Sequence, residues 1–151
     1  MKPFAMVFPG QGSQSVGMLG AWAEHPEVQR TLQQANDALG EDLAALIANG
    51  PAEALALTTN TQPVMLAANV AIYRAWRAAG GAEPALLAGH SLGEYAAWVV
   101  AQSLDLGDAL RLVRLRAQAM QQAVPVGQGA MAAVLGLEAA RVTEVCQSVQ
   151  A

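Results

Sequence analysis

One short stretch of the sequence has the residue types and spacing of a nucleophilic serine site. Ser91 lies two residues after Gly89 and two residues before Gly93, which is the Gly-x-Ser-x-Gly arrangement of a nucleophile elbow. In an elbow, a sharp turn between a strand and a helix raises the serine above the sheet, and the glycines leave space that side chains would fill. The pattern predicts a serine that attacks an acyl group. The alternative is a glycine-bracketed turn whose serine only caps the helix.

The same turn supplies half of an oxyanion hole. The backbone N–H of Leu92 falls at the first turn of the following helix, where unpaired donors and the positive end of the helix dipole are found. A second donor in such sites comes from a loop that leaves a neighbouring strand, and residues 9–14 (Pro-Gly-Gln-Gly-Ser-Gln) form such a loop with Gln11 between two glycines. The loop fits no nucleotide motif, since Ser15 stands where the dinucleotide fingerprint needs glycine. A plain strand-to-helix turn is the alternative.

Arg116 is a cation on the apolar face of a predicted helix at residues 107–123. Arg111 and Arg114 lie on the opposite, polar face. A guanidinium keeps its proton and is costly to bury unpaired, so Arg116 needs an anion. Two partners are open, a carboxylate of this chain such as Glu94 or the carboxylate of a substrate held by the planar guanidinium. The apolar face that carries Arg116 is made of Ala109, Leu112, Val113 and Met120.

The elements that must position these residues are short apolar runs and amphipathic helices. Apolar runs of strand length stand before both glycine-rich stretches, at residues 4–8 and 84–88, and both predict buried strands. Pro26 marks a helix start, Gly40 a helix end, and Thr61 an N-cap before Pro63. This alternation predicts an α/β fold. The predicted helices cover residues 26–39, 42–48, 62–79, 93–102, 107–123 and 138–150, and a third strand is predicted at residues 130–137.

Composition limits the class of protein. Of the 151 residues, 54% are hydrophobic and 13% are charged, which suits one domain with a substantial core whose surface is covered in part by another segment or chain. The net charge of -4 and the single lysine argue against a nucleic-acid binder. Cys146 is the one cysteine, so an internal disulfide and a cysteine-based metal site are excluded. With no apolar run of membrane-spanning length, the sequence predicts a cytoplasmic protein.

Four motifs in this order resemble one family. Residues 9–14, Thr61-Gln62-Pro63, the stretch at residues 89–94 (Gly-His-Ser-Leu-Gly-Glu) and Arg116 within residues 114–120 together resemble the malonyl-CoA:acyl-carrier-protein transacylase family of bacterial fatty acid synthesis. Acyltransferases of polyketide synthases and malonate decarboxylases share these motifs. The resemblance implies an α/β-hydrolase-like parallel sheet core with a nucleophile elbow in residues 1–124. It also implies the beginning of a smaller ferredoxin-like subdomain in residues 125–151.

The resemblance further implies a role for each site residue. Ser91 would be acylated, and the backbone N–H groups of Gln11 and Leu92 would form its oxyanion hole. Arg116 would pair with the malonyl carboxylate. The reaction would move a malonyl group from malonyl-CoA to Ser91 and then to the phosphopantetheine thiol of an acyl carrier protein, with no metal and no bound cofactor. The acyl pocket would be lined by Gln62 and Met120.

A general base for Ser91 is not evident in the sequence. Members of the family are much longer than this chain, and their base histidine lies beyond the part that it resembles. His25 stands at a helix start, and His90 should point away from its neighbour Ser91 in an elbow. We therefore expect the N-terminal portion of a transacylase, with the base supplied from elsewhere. Two other functions stay open, a serine hydrolase or thioesterase, and an inactive fragment that folds only with a partner.

Overall fold

Two strands and seven α-helices make up the part of the chain that the computed structural model describes, which is residues 2–124, residue 128 and residues 134–149. A short 3-10 turn at Gly20–Trp22 precedes the first helix. The structure agrees with the predicted α/β class, although α3 was not predicted. In chain order the elements are β1 (Ala5–Phe8), α1 (Pro26–Leu39), α2 (Leu43–Asn49), α3 (Ala52–Ala56), α4 (Thr58–Ala78), β2 (Leu86–Gly89), α5 (Gly93–Val100), α6 (Leu106–Ala123) and α7 (Ala139–Ser148).

Helix α4 is the central element of the fold. It is 21 residues long, and every residue from 61 to 71 is buried. A helix that is buried on all sides must be surrounded by protein, and α4 is packed by α1, α5 and α6. It therefore forms the support on which the sheet and the following helices are placed. The core around it includes Val28, Leu43, Ile47, Leu92, Leu110 and Val113.

The start of α4 differs from the prediction. Thr61 was predicted as the N-cap, but the helix begins at Thr58, and the Thr61 hydroxyl donates to the carbonyl of Leu55 at 2.6 Å. Pro63 therefore lies in the second turn, where its missing N–H leaves the carbonyl of Thr59 without its helical partner. The guanidinium of Arg114 donates to this carbonyl at 2.6 Å. An arginine of α6 thus replaces the hydrogen bond that the proline removes, which allows the helix to start earlier than expected.

The strands form a two-stranded parallel sheet. Ala5 pairs with Leu86 and Phe8 pairs with Gly89, so the ends of both strands lie side by side. Phe8 is buried against the helices, whereas Val7 is 66% and Leu86 70% exposed on the opposite face. Parallel sheets are normally covered on both faces. The prediction of buried strands is correct for one face only, because in the described part of the chain no layer packs on the other.

Helix α6 presents a slightly different face to the core than the helical wheel predicted. Asp105 caps it, with its carboxylate accepting from the N–H of Gly107 at 2.7 Å. Leu112 and Met120 were placed on the apolar face but are 43% and 40% exposed. Since Arg116 adjoins the true buried stripe, it is half-buried rather than fully enclosed. The stripe consists of Leu106, Ala109, Leu110, Val113 and Ala117.

The last part of the chain is described only in part. The predicted strand at residues 130–137 falls largely outside the described residues, and residues 134–137 are not in a strand. Helix α7 agrees with the predicted helix, and none of its residues is buried. The predicted boundary between residues 124 and 125 also adjoins residues outside the description. Among the helices that the structure describes, none combines the length and apolarity needed to cross a membrane.

Candidate active site

Ser91 stands on a strained turn between β2 and α5. Its φ angle of 52° is in the left-handed region, which a residue with a side chain rarely adopts. A Cβ at Gly89 would lie 2.0 Å from the backbone of Gly93, and one at Gly93 would lie 2.1 Å from the carbonyl oxygen of Phe8. No side chain fits at either distance. The two glycines therefore let the start of α5 pass directly over the ends of both strands, which exposes Ser91 at the edge of the sheet.

Two backbone segments with free donors meet beside Ser91. In the described part of the chain, the N–H groups of Gln11 and Leu92 donate to no protein acceptor, although Leu92 is only 1% exposed. The loop of Gln11 reaches the elbow because a Cβ at Gly10 would lie 2.7 Å from the carbonyl oxygen of His90. The Gln11 side chain points elsewhere, with its amide donating to the Thr58 hydroxyl at 3.2 Å. This arrangement suits a pair of backbone donors for an oxyanion on the Ser91 side.

The guanidinium of Arg116 reaches the serine from α6. One of its NH₂ groups donates to Ser91 Oγ at 2.9 Å, and the other donates to Gln62 Oε1 at 2.7 Å. Its Cζ atom lies 5.9 Å from the ring centroid of Tyr95, within reach of a cation–π contact. Three elements, α4, α5 and α6, thus hold one cation beside the nucleophile.

The partners of Arg116 are neutral. Five ion pairs join the described residues, and none of them includes Arg116. Glu94, the carboxylate suggested from the sequence, makes no ion pair with it. A half-buried guanidinium with neutral partners retains its demand for an anion. Of the two partners left open by the sequence, a substrate carboxylate is therefore favoured over a carboxylate of the described chain.

Gln62 lies beside this arginine and Met120 lies beside Gln62, while the acyl-pocket role that the resemblance implied for both stays a prediction. Gln62 is completely buried, with its oxygen accepting from Arg116 and its nitrogen 3.2 Å from the sulfur of Met120. Since a guanidinium only donates, this contact fixes which end of the amide carries the oxygen. The buried amide of Gln62 thus contacts Arg116 through its oxygen and Met120 through its nitrogen.

A comparison with known families decides where the chain belongs. The profile described as acyl transferase domain matches residues 5–149. The chain belongs to the acyl transferase domain family. The match includes every residue singled out above, so the family assignment covers the elbow, the glycine-rich loop and the arginine together.

Individual relatives of the acyl transferase family agree with the resemblance inferred from the motifs. The chain is 54% identical over 148 residues to the malonyl CoA-acyl carrier protein transacylase of Escherichia coli, covering 97% of this chain and 48% of that protein. An acyl-carrier-protein S-malonyltransferase structure from Burkholderia pseudomallei has 62% identity and a TM-score of 0.89, covering 97% of this chain and 48% of that one. A malonyl-transacylase solved in complex with its type II PKS acyl-carrier protein has 51% identity and a TM-score of 0.89, and the match covers 98% of this chain and 48% of that one. The chain spans about half the length of the relatives it matches.

Neither histidine side chain of this acyl transferase chain is hydrogen-bonded to the Ser91 hydroxyl in the described structure. His25 Nδ1 accepts from the N–H of Glu27 at 3.2 Å and so caps α1. His90 is exposed beside Gly10, as expected for the residue before the nucleophile. Among the hydrogen bonds of the described residues, that from Arg116 is the one that reaches Ser91 Oγ. Within the same ranges no three His, Cys, Asp or Glu side chains lie close enough to hold a metal ion.

Two residues near the site were not identified from the sequence. Arg114 was placed on the polar face, yet its side chain is 13% exposed and pairs with Glu41. The sequence feature that could have indicated this role is Pro63, which leaves a carbonyl of α4 without its helical hydrogen bond. Asn69 is 5% exposed, and its amide donates to the carbonyl of Pro9 at 3.1 Å. The signal for this residue was a lone amide inside an apolar run.

One cavity of the described chain lies away from the serine. It has a volume of about 390 Å³ and lies between α1, α2 and the turn before α1. Its lining is mostly apolar and includes no residue of the candidate site. The candidate site is therefore separate from this cavity and lies at the open edge of the sheet. Its apolar lining residues include Leu19, Val28, Leu32 and Ile47.

Proposed function

We propose that this chain carries the nucleophile, the oxyanion hole and the carboxylate clamp of a malonyl-CoA:acyl-carrier-protein transacylase. The observation that carries the proposal is the half-buried guanidinium of Arg116, which lies 2.9 Å from Ser91 Oγ and has neutral partners. A serine that only hydrolysed neutral esters would have no use for this cation. The similar proteins are named as malonyl transferases, which supports malonyl as the acyl group of this chain.

In the first step, Ser91 Oγ attacks the thioester carbonyl of malonyl-CoA. The proton of Ser91 passes to a general base, the carbonyl oxygen gains the negative charge, and the backbone N–H groups of Gln11 and Leu92 stabilise it. Collapse of this intermediate releases coenzyme A, which leaves as the thiol after protonation, and malonyl-Ser91 remains. Because neither the His25 nor the His90 side chain is hydrogen-bonded to Ser91 Oγ in the described structure, the base is proposed to come from residues outside this sequence.

Selection of the malonyl group is assigned to Arg116. With single C–C bonds of about 1.5 Å, the malonyl carboxylate carbon lies about 2.5 Å from the ester carbonyl carbon, so a carboxylate on acylated Ser91 reaches the guanidinium that now contacts Oγ. Gln62 keeps the planar guanidinium oriented for this contact. An acetyl group would leave the cation unpaired, which disfavours acetyl transfer.

In the second step, the phosphopantetheine thiol of an acyl carrier protein attacks malonyl-Ser91. The thiol gives its proton to the base, the ester bond to Ser91 breaks, and the base returns the proton to Ser91 Oγ, so that a malonyl thioester and free serine result. A carrier protein as acceptor is supported by the relative that was solved with one. We assign the reaction to fatty acid biosynthesis. The second candidate is the supply of malonyl groups to a polyketide synthase. This candidate is favoured by the similar malonyl-transacylase that was solved in complex with a type II PKS acyl-carrier protein.

The wider context is proposed on the same grounds. The reaction needs no metal and no bound cofactor, since a nucleophile, a base and an oxyanion hole suffice for acyl transfer. The elbow after a parallel strand supports an α/β-hydrolase-like subdomain in residues 1–124, and the ferredoxin-like subdomain is proposed to begin at residue 125. A single cysteine supports a location in the cytoplasm.

The proposal is tested by intact-mass spectrometry after incubation with malonyl-CoA, using the longest natural polypeptide that carries this sequence. We expect one malonyl adduct that Ser91→Ala abolishes and that an acyl carrier protein removes with gain of the same mass. Release of free malonate without carrier acylation would instead indicate a hydrolase. An adduct that survives Ser91→Ala would refute the assignment of the nucleophile.

A further inference from the structure

Asn69 is a polar side chain in the most buried part of the molecule. It is 5% exposed and lies within the buried stretch of α4 at residues 61–71. Burial of an amide is unfavourable unless its hydrogen bonds are made, and a leucine of similar size would fill the same space without that penalty. A purpose other than packing is therefore needed to explain an asparagine at this position.

The buried polar residues of the described chain differ in the location of their hydrogen-bond partners. Thr31 and Thr61 donate to carbonyls of Glu27 and Leu55, which lie within or just before their own helices, and Gln62 accepts from Arg116. Thr31 also accepts from Arg74 of α4 at 3.0 Å, a contact between helices that does not include the loop. Asn69 instead reaches across to the loop after β1. Its Nδ2 donates to the carbonyl oxygen of Pro9 at 3.1 Å.

The carbonyl of Pro9 lies where the two oxyanion segments meet. On one side it accepts from Asn69, and on the other it faces the start of α5, since a Cβ at Gly93 would lie 3.0 Å from it. The next residue, Gly10, packs against the carbonyl of His90, and Gln11 follows. The position of this one carbonyl therefore sets how the loop that carries Gln11 approaches the turn that carries Leu92.

We propose that Asn69 is a positioning residue for the oxyanion hole, an inference that rests on the proposed function. By holding Pro9, its amide fixes the N–H of Gln11 relative to the N–H of Leu92, so that both point at one oxygen. A displaced donor weakens stabilisation of the transition state and leaves binding of the thioester unchanged, because the oxyanion exists only in the transition state. Asn69 thus acts on the rate of acylation and not on the choice of acyl group.

The test compares Asn69→Leu with Thr31→Val. Both substitutions remove one buried hydrogen-bonding side chain and keep its approximate size, but only Asn69 touches the loop. In the longest natural polypeptide that carries the sequence, we expect Asn69→Leu to lower the single-turnover rate of Ser91 acylation about 10- to 100-fold. The malonyl-CoA concentration for half-maximal rate and the malonyl-to-acetyl preference should stay as in the unmodified protein, and Thr31→Val should leave the rate unchanged. Asn69→Ser takes the place of the leucine variant if the latter does not fold.

The NMR signals of the loop give a second readout that needs no activity. Because the N–H of Gln11 makes no hydrogen bond within the described residues, its chemical shift reports its position beside the elbow. The amide shifts of residues 10–12 should change in Asn69→Leu and stay as in the unmodified protein in Thr31→Val. Unchanged shifts in Asn69→Leu, or an acylation rate that falls equally in both variants, would overturn the role of Asn69. If the unmodified protein forms no malonyl-serine, the proposed function fails, and the shifts of the loop still decide whether Asn69 positions Gln11.

Discussion

The elbow of Ser91 and the clamp of Arg116 are built in opposite ways. The elbow is backbone against backbone, and its shape depends on the absence of side chains at Gly89 and Gly93. The clamp is side chain against side chain, with Arg116 held by Gln62, which is 54 residues away in sequence, and by Ser91, which is 25 away. The comparison teaches that the position of Ser91 is set by local sterics, whereas the position of the Arg116 guanidinium depends on three helices packing correctly.

The largest effect is expected from Gly93→Ala, which breaks the elbow. Its Cβ would lie 2.1 Å from the carbonyl oxygen of Phe8, and neither backbone segment can move without separating α5 from the sheet. We expect a loss of at least about 3 kcal/mol in the free energy of unfolding, measured with urea. Gly20→Ala is the matched control, since no atom lies within 4 Å of a Cβ there, and it should change stability by less than about 0.5 kcal/mol. Equal losses in the two variants would contradict the steric account.

Arg114→Met tests whether the start of α4 depends on hydrogen bonds from an arginine of α6. Arg114 donates to the carbonyl of Thr59 that Pro63 leaves unpaired, to Asn60 and to Glu41. Its loss should cost about 2 kcal/mol in the free energy of unfolding, measured with urea, because the carbonyl of the half-buried Thr59 loses its partner. Arg111→Met removes only an exposed pair with Asp108 and should have little effect. A neutral result for Arg114→Met would mean that the proline is accommodated without this arginine.

Gln62→Leu tests the orientation of the Arg116 guanidinium while its positive charge is kept. The guanidinium stays but loses the oxygen that orients it, so the preference for malonyl over acetyl should fall about 10-fold, measured as the ratio of acylation rates. Thr61→Val removes a neighbouring buried hydroxyl on the same helix and should leave the ratio unchanged. A ratio that Gln62→Leu does not alter would show that Arg116 needs no support from α4.

The smallest effect is expected from Gln102→Gly. This substitution relieves the second of two non-glycine residues that have a left-handed backbone conformation in the described part of the chain, Ser91 being the first. Ser91 has φ 52° at the site, whereas Gln102 has φ 59° after the last turn of α5 and makes no contact with the site. Glycine at Gln102 should raise the free energy of unfolding by about 0.5 to 1 kcal/mol, by differential scanning calorimetry, with no change in acylation. A loss of stability would mean that the side chain of Gln102 contributes more than its backbone strain costs.

Features formed by residues close together in the sequence could be predicted, whereas hydrogen bonds between distant segments could not. The elbow could be predicted because two glycines around a serine between a strand and a helix leave few conformations. The demand of Arg116 for an anion could be predicted because it adjoins apolar residues, even though the assignment of Leu112 to the buried face was wrong. The family of the chain followed from the order of the motifs, and the comparisons confirm it.

The failures share a physical cause. The start of α4 was misplaced because Pro63 was assigned to a first turn, and nothing near it in sequence shows that Arg114 supplies the missing hydrogen bond. The link between Asn69 and Pro9 joins residues 60 positions apart, so only the packed structure reveals it. The oxyanion roles of Gln11 and Leu92 were predicted from the elbow and the neighbouring loop, and those of Gln62 and Met120 came from the resemblance. All four stay predictions.

The central claim is that Arg116 selects the acyl group by its charge. The direct test is the rate of Ser91 acylation by malonyl-CoA and by acetyl-CoA in the unmodified protein, in Arg116→Ala and in the control Arg111→Ala. We expect the malonyl-to-acetyl ratio to fall about 100-fold in Arg116→Ala, through loss of malonyl transfer, and to stay unchanged in Arg111→Ala. Equal loss of both activities in Arg116→Ala would contradict the account, because it would make the arginine part of the nucleophile's machinery and not the partner of a carboxylate.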